Sequence, residues 1–134
     1  MIRKITQISF AIILVLMLIS CKNTKQKLQE YVVSYNAAAK SFKADHVTLT
    51  TARGYINDNK IELRFETDLE KKAANELVAD KDFPVLLKEM IAKNQIPKEL
   101  VEEGVQFDAY FLADDNTVLS KKIINKEELA ELMK

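Results

Sequence analysis

Between residues 28 and 133 the apolar positions keep switching between two spacings, and the switches outline a domain. Leu28, Tyr31, Val32, Tyr35, Ala38, Ala39 and Phe42 follow the i, i+3, i+4, i+7 spacing of an amphipathic helix. That spacing predicts a helix from about Lys25 to Phe42. A helix of this kind must bury one face, so its tyrosines are expected in the core rather than at a ligand. After Phe42 the period falls to two. Val47, Leu49 and Thr51 alternate with Thr48, Thr50 and Ala52, and beyond Asn57-Asp58-Asn59-Lys60 the residues Ile61, Leu63 and Phe65 alternate with Glu62, Arg64 and Glu66. Two such runs joined by an Asn/Asp turn predict a hairpin with one apolar and one charged face, and Gly54 predicts a bulge in its first strand.

Thr67-Asp68-Leu69-Glu70 has the Ser/Thr-x-x-Glu spacing of a capping box, so a helix is expected to start there and carry Leu69, Ala73, Ala74, Leu77 and Val78 inward. Asp82-Phe83-Pro84 predicts a restart into a second helix bearing Phe83, Leu86, Leu87, Met90 and Ile91. Pro97 opens a short third helix that Gly104 ends in the left-handed conformation. Val105, Phe107, Ala109 and Phe111 alternate with Gln106, Asp108 and Tyr110. Asp114-Asp115-Asn116-Thr117 turns the chain, Val118 to Ile124 returns, and Asn125 caps a last helix with Leu129, Leu132 and Met133. The expected order is α-ββ-α(αα)-ββ-α. The fold class is α+β, with two antiparallel hairpins forming a four-stranded sheet and helices packed on one of its faces.

The amino terminus has a different grammar. Arg3 and Lys4 precede an apolar run from Phe10 to Ile19, and small Ser20 leads to Cys21, the single cysteine. The run is too short for a span that needs about 20 apolar residues. Leu18-Ile19-Ser20-Cys21 resembles the lipobox of bacterial lipoproteins. That resemblance implies diacylglycerol on Cys21 and cleavage before it, followed by acylation of the freed amine. Two or three acyl chains, at about 0.8 kcal/mol per buried methylene, make a lasting anchor. The alternative is a secreted protein with a lone free thiol. Lys22 does not match the aspartate that holds enteric lipoproteins at the inner membrane, so the outer membrane is expected. Residues 1–20 are then a signal peptide and 21–27 a lipidated tether, followed by a single α+β domain over 28–134.

The domain itself resembles a group of small uncharacterised α+β lipoproteins and secreted proteins of Gram-negative bacteria. The likeness rests on the first helix, Leu49-Thr50-Thr51, the hairpin Ile56 to Phe65, the Gly104-x-x-Phe107 strand and the closing Ile124-x-x-x-Glu-Leu129 turn. It implies architecture and no activity.

Charge narrows the field. The chain holds 20 basic and 20 acidic residues, and loss of Arg3 and Lys4 with the signal leaves the basic side two short. Such a balance does not suit nucleic acid as a partner. A zinc site needs three or four His or Cys ligands, whereas His46 is the only histidine and Cys21 the only cysteine, so no metal and no cofactor is expected. His46 has no nucleophile motif around it and is read as a loop residue. Asn57-x-Asn59 and Asp114-x-Asn116 lack the Gly and distant Glu of a calcium loop and are read as turns.

The expected function is therefore non-catalytic binding at the cell envelope, of a protein or a small ligand, by a domain held to the membrane through Cys21. The candidate contact face is the polar side of the sheet: Glu62, Arg64 and Glu66 beside Gln106, Asp108 and Tyr110. One alternative is an envelope enzyme or enzyme subunit using carboxylates that only the fold assembles, favoured by a deep pocket converging two of Asp108, Glu66 and Glu62. The other is a structural or immunity-type lipoprotein that blocks its partner by steric fit.

Overall fold

The computed structural model describes residues 23–134. The segments expected to be a signal peptide and a lipobox, with Cys21, lie outside the described residues. Helix α1 (Thr24–Ala38) is followed by a 3-10 turn (Ala39–Ser41), strand β1 (Val47–Tyr55), a second 3-10 turn (Ile56–Asp58) and strand β2 (Lys60–Thr67). Helices α2 (Ala73–Ala92) and α3 (Lys98–Glu102) lead to strands β3 (Gln106–Leu112) and β4 (Val118–Ile124), and helix α4 (Lys126–Leu132) ends the chain. The fold is α+β, with one four-stranded sheet in the order β1-β2-β3-β4.

The two hairpins are antiparallel within themselves and meet through a parallel pairing of β2 with β3, Ile61 beside Phe107 and Phe65 beside Phe111. Parallel neighbours need a long crossover, and α2 with α3 supplies it. The crossover and α1 share one face of the sheet. There Ile61, Leu63, Phe65, Phe107 and Ala109 are fully buried with Tyr35, Phe83 and Leu87. Phe65 meets Phe83 edge-on at 5.7 Å between ring centres, and Tyr31 meets Phe107 in the same way at 5.5 Å. The tyrosines of α1 are core residues with paired hydroxyls. Tyr31 donates to the Gln95 carbonyl (2.7 Å). Tyr35 bonds Thr50 Oγ1 (2.6 Å), which donates to the Arg64 carbonyl (3.0 Å). Burial pushes both phenols up from their ordinary value.

Four local expectations are corrected. The expected tether (21–27) and the expected helix (from about Lys25) overlap, and the structure gives Thr24 to Lys27 to the first turn of α1. Asn23 and Gln26 close a capping box there, and the Lys27 ammonium is fixed by Glu99 (2.9 Å) and Glu103 (3.1 Å). The hydrogen bonds it donates to Glu99 and Glu103 hold that ammonium above its ordinary value.

Gly54 marks a close approach and not a bulge. A Cβ there would lie 3.1 Å from Leu28 and 3.2 Å from Val32, while the irregularity in β1 falls between Val47 and Leu49. Downstream of it Thr50 and Ala52 point into the core, and Leu49 is half exposed. Asn36 of α1 reaches the backbone of β1 as well, accepting from the Ala52 N–H (2.8 Å) and donating to its carbonyl (2.9 Å). It occupies the place of a further strand on that edge.

Thr67 does not cap a helix. Its hydroxyl donates to the Leu112 carbonyl (2.7 Å) and accepts from the Leu69 N–H (3.1 Å), tying the ends of β2 and β3, and α2 starts only at Ala73.

Pro84 lies inside α2, which is one helix and not two. Phe83 and Leu87 are fully buried on either side of it, and the carbonyl that loses its partner belongs to exposed Asp80. Gly104, at φ 102°, ends α3 as expected, and Asn125 caps α4 by accepting from the Glu128 N–H (3.0 Å).

Candidate functional site

The strand register decides which side chains stand together on the face opposite α1 and α2. Neighbours across strands lie about 5 Å apart, so each row of paired residues forms a ladder. Glu62 pairs with Arg53 on one side and Asp108 on the other, and Asp108 pairs with Ile123. The next row runs Thr51, Arg64, Tyr110, Lys121, and the row on the other side begins Tyr55, Lys60, Gln106. Glu66 sits beside Leu49. The parallel β2–β3 pairing thus brings Glu62, Arg64, Glu66, Gln106, Asp108 and Tyr110 onto one surface of two adjacent strands.

The outer strands add side chains that the sequence pattern did not single out. Arg53 lies 5.4 Å and Lys60 4.9 Å from the centre of the Tyr55 ring, whose hydroxyl donates to Glu62 (3.4 Å). Lys121 lies 5.1 Å over the Tyr110 ring. Each tyrosine is therefore held flat by a cation, a contact worth about 0.5–1 kcal/mol at exposed sites. Tyr110, followed by Asp108 and Glu62, holds the Lys121 ammonium above its ordinary value.

Asp108 is the one charged residue of this face that is nearly closed off, at 5% exposure. Its carboxylate accepts from Gln106 Nε2 (2.7 Å) and faces Lys60 Nζ at 3.6 Å, so it is spent on internal contacts. Arg64, Arg53, Thr51 and Lys121 are open to solvent. Exposed Leu49, Val118 and Ile123 put apolar patches toward the two outer strands. The arrangement offers both signs of charge and two aromatics, each under a cation, on one surface of the sheet.

A cavity lies on the helical side. A groove of about 440 Å³ runs between the 41–46 loop and α2, floored by Phe42, Leu69, Met90 and Phe111. Sequence spacing had counted these only as core. The loop wall is pinned by His46, which sits at φ 66°. Its carbonyl accepts from the Asp68 N–H (3.1 Å), and its Nδ1 lies 3.1 Å from Asp68 Oδ1. A lone His between two periodic segments gives no sequence signal for such a latch. Among the described residues no group of three His, Cys, Asp or Glu side chains could hold a metal ion, and no helix is long and apolar enough to cross a membrane.

At the two Asn/Asp turns, Asn59 and Asn116 take positive φ. Asp115 accepts from the Thr117 hydroxyl (2.6 Å) and N–H (3.1 Å), which holds its carboxyl below the usual range. No family model, curated protein or solved structure matches the chain.

Proposed function

We propose that this chain is a lipid-anchored cell-envelope protein whose domain binds a partner without catalysing a reaction, using the helix-free face of its sheet. What carries the reading is the cross-strand register, with Arg64 exposed beside Tyr110, and Glu62 and Glu66 on either side of Arg64 along β2. A surface of mixed charge with fixed aromatics suits a transient protein contact, because aromatics and Arg supply affinity while ladders of alternating sign set orientation. Asp108 braces this surface through Gln106 and Lys60.

The lipobox supports the anchor. The capping box at Asn23, only two residues beyond Cys21, would hold the domain close to the bilayer, at the pole where α1 begins. The outer membrane is the proposed location, since Lys22 stands where an inner-membrane retention aspartate would be.

The anchor is tested by the mass of the amino-terminal peptide from native membranes. A diacylglyceryl-modified Cys21 is expected, with the Cys21→Ser protein leaving the membrane fraction still folded. An unmodified peptide beginning near Cys21, or continued sedimentation of the variant, contradicts it. Binding by the sheet face is tested by co-purification after crosslinking in intact cells. Arg64→Glu combined with Tyr110→Ala is expected to abolish partner recovery without loss of fold, and undiminished recovery rejects this face.

A further inference from the structure

The groove between the 41–46 loop and α2 is independent of the sheet face and calls for an occupant of its own. Its volume, about 440 Å³, falls within the 300–1,000 Å³ typical of small-molecule sites. Its helical wall is made of Val78, Asp82, Val85 and Leu86. Val78 is 46% and Val85 64% exposed, an apolar stripe that a solvated helix face does not need.

The charges at its rim are unequal. Glu89 is neutralised by Lys93 (2.7 Å) and His46 is engaged by Asp68. The carboxylates of Asp45 on the loop wall and Asp82 on the helical wall make no hydrogen bond or ion pair among the described residues. Lys43 is likewise unpaired. Two free carboxylates against one free ammonium leave the rim one negative charge in excess.

We propose that this groove binds a small amphipathic amine, its apolar body on Phe42, Val78, Val85 and Met90 and its single positive charge between Asp45 and Asp82. An ammonium at this rim is attracted by the excess of carboxylate, and a carboxylate ligand of the same shape meets it with repulsion. The loop wall needs no closure to form the site, because the His46–Asp68 contacts already hold it.

Calorimetric titration of the full chain with 4-phenylbutylamine, 4-phenylbutanol and 4-phenylbutyrate tests this. Saturable binding of the amine is expected, with the alcohol and the acid each weaker by roughly tenfold or more. Asp45→Asn with Asp82→Asn is expected to bring the amine down to the level of the alcohol. Val85→Lys, a change at an exposed position, is expected to weaken the amine roughly tenfold with an unchanged melting temperature. Any other ranking of the three probes, an amine that never saturates, or amine binding unaffected by these variants overturns the proposal. Arg64→Glu is expected to leave the titration unchanged, so this result and the fate of the sheet face are read separately.

Discussion

The two faces of the sheet come from the same four strands and follow opposite rules. On the helical face the side chains from β2 and β3 are Ile61, Leu63, Phe65, Phe107, Ala109 and Phe111. Polar atoms admitted there, among them Thr50 Oγ1, Thr67 Oγ1, Ser120 Oγ and the Tyr31 and Tyr35 hydroxyls, are bonded. On the outer face the same strands present Glu62, Arg64, Asp108 and Tyr110, held by cross-strand charge and by cations over aromatic rings. Burial makes each inner residue costly to change. Solvent makes the exposed outer ones, Arg64 and its neighbours Thr51 and Lys121, cheap for stability and leaves them free to serve recognition, whereas Asp108 is buried and engaged. If the contrast is real, substitutions on the two faces separate stability from binding.

The largest expected effect is on the inner face. Phe83→Ala empties a site between Phe65 and Phe111, ring centres 5.7 and 5.0 Å away, and should cost about 3–5 kcal/mol in chemical denaturation. A loss below about 1 kcal/mol would mean that α2 is not packed as described. Gly54→Val comes next. It drives a branched side chain into Leu28 and Val32 and should destabilise by about 1–3 kcal/mol by pushing α1 off β1.

Tyr35→Phe is smaller, about 1 kcal/mol at neutral pH for the lost bond to Thr50. Its pH dependence sharpens the test. Folded Tyr35 ionises well above an unfolded tyrosine, which titrates near pH ~10. Its contribution is therefore complete below that pH and lost as pH rises through the folded value. The gap between wild type and Tyr35→Phe in thermal melts should narrow above pH ~10, and a constant gap would argue against burial of the hydroxyl.

The smallest stability effect belongs to the outer face. Arg64→Glu and Tyr110→Ala should each shift stability by less than about 1 kcal/mol. A loss comparable to Phe83→Ala would show that this face is covered and structural.

How much of this was legible in the sequence depended on whether a signal was local. Period-two alternation in 61–66 and 105–111 placed the six face residues correctly, since one face of a strand pair must be buried. The two triplets are expected beside each other, but the parallel sense and register of the β2–β3 pairing, which set the rows, are long-range and encoded by no local pattern. The face of β1 was misleading for the same reason. The irregularity at Val47–Leu49 changes which residues point inward, and the closeness of α1 explains why they are Thr50, Ala52 and Gly54.

Pro84 and Thr67 carried genuine local signals that tertiary contacts overrode. One proline is tolerated between buried Phe83 and Leu87, and one hydroxyl is worth more at the Leu112 carbonyl than at a helix cap. The groove was invisible because its floor is made of residues indistinguishable from core until α2 and the 41–46 loop are placed around them.

The division of labour between the faces is tested most directly by photocrosslinking in intact cells, with a photoreactive residue placed once at Arg64 and once at Val33. Both positions are exposed, one on the sheet's outer face and the other on the solvent side of α1. The account predicts a discrete adduct from position 64, competed away by the untagged wild-type chain, and none from position 33. The same adduct from both positions, or from 33 alone, would contradict it.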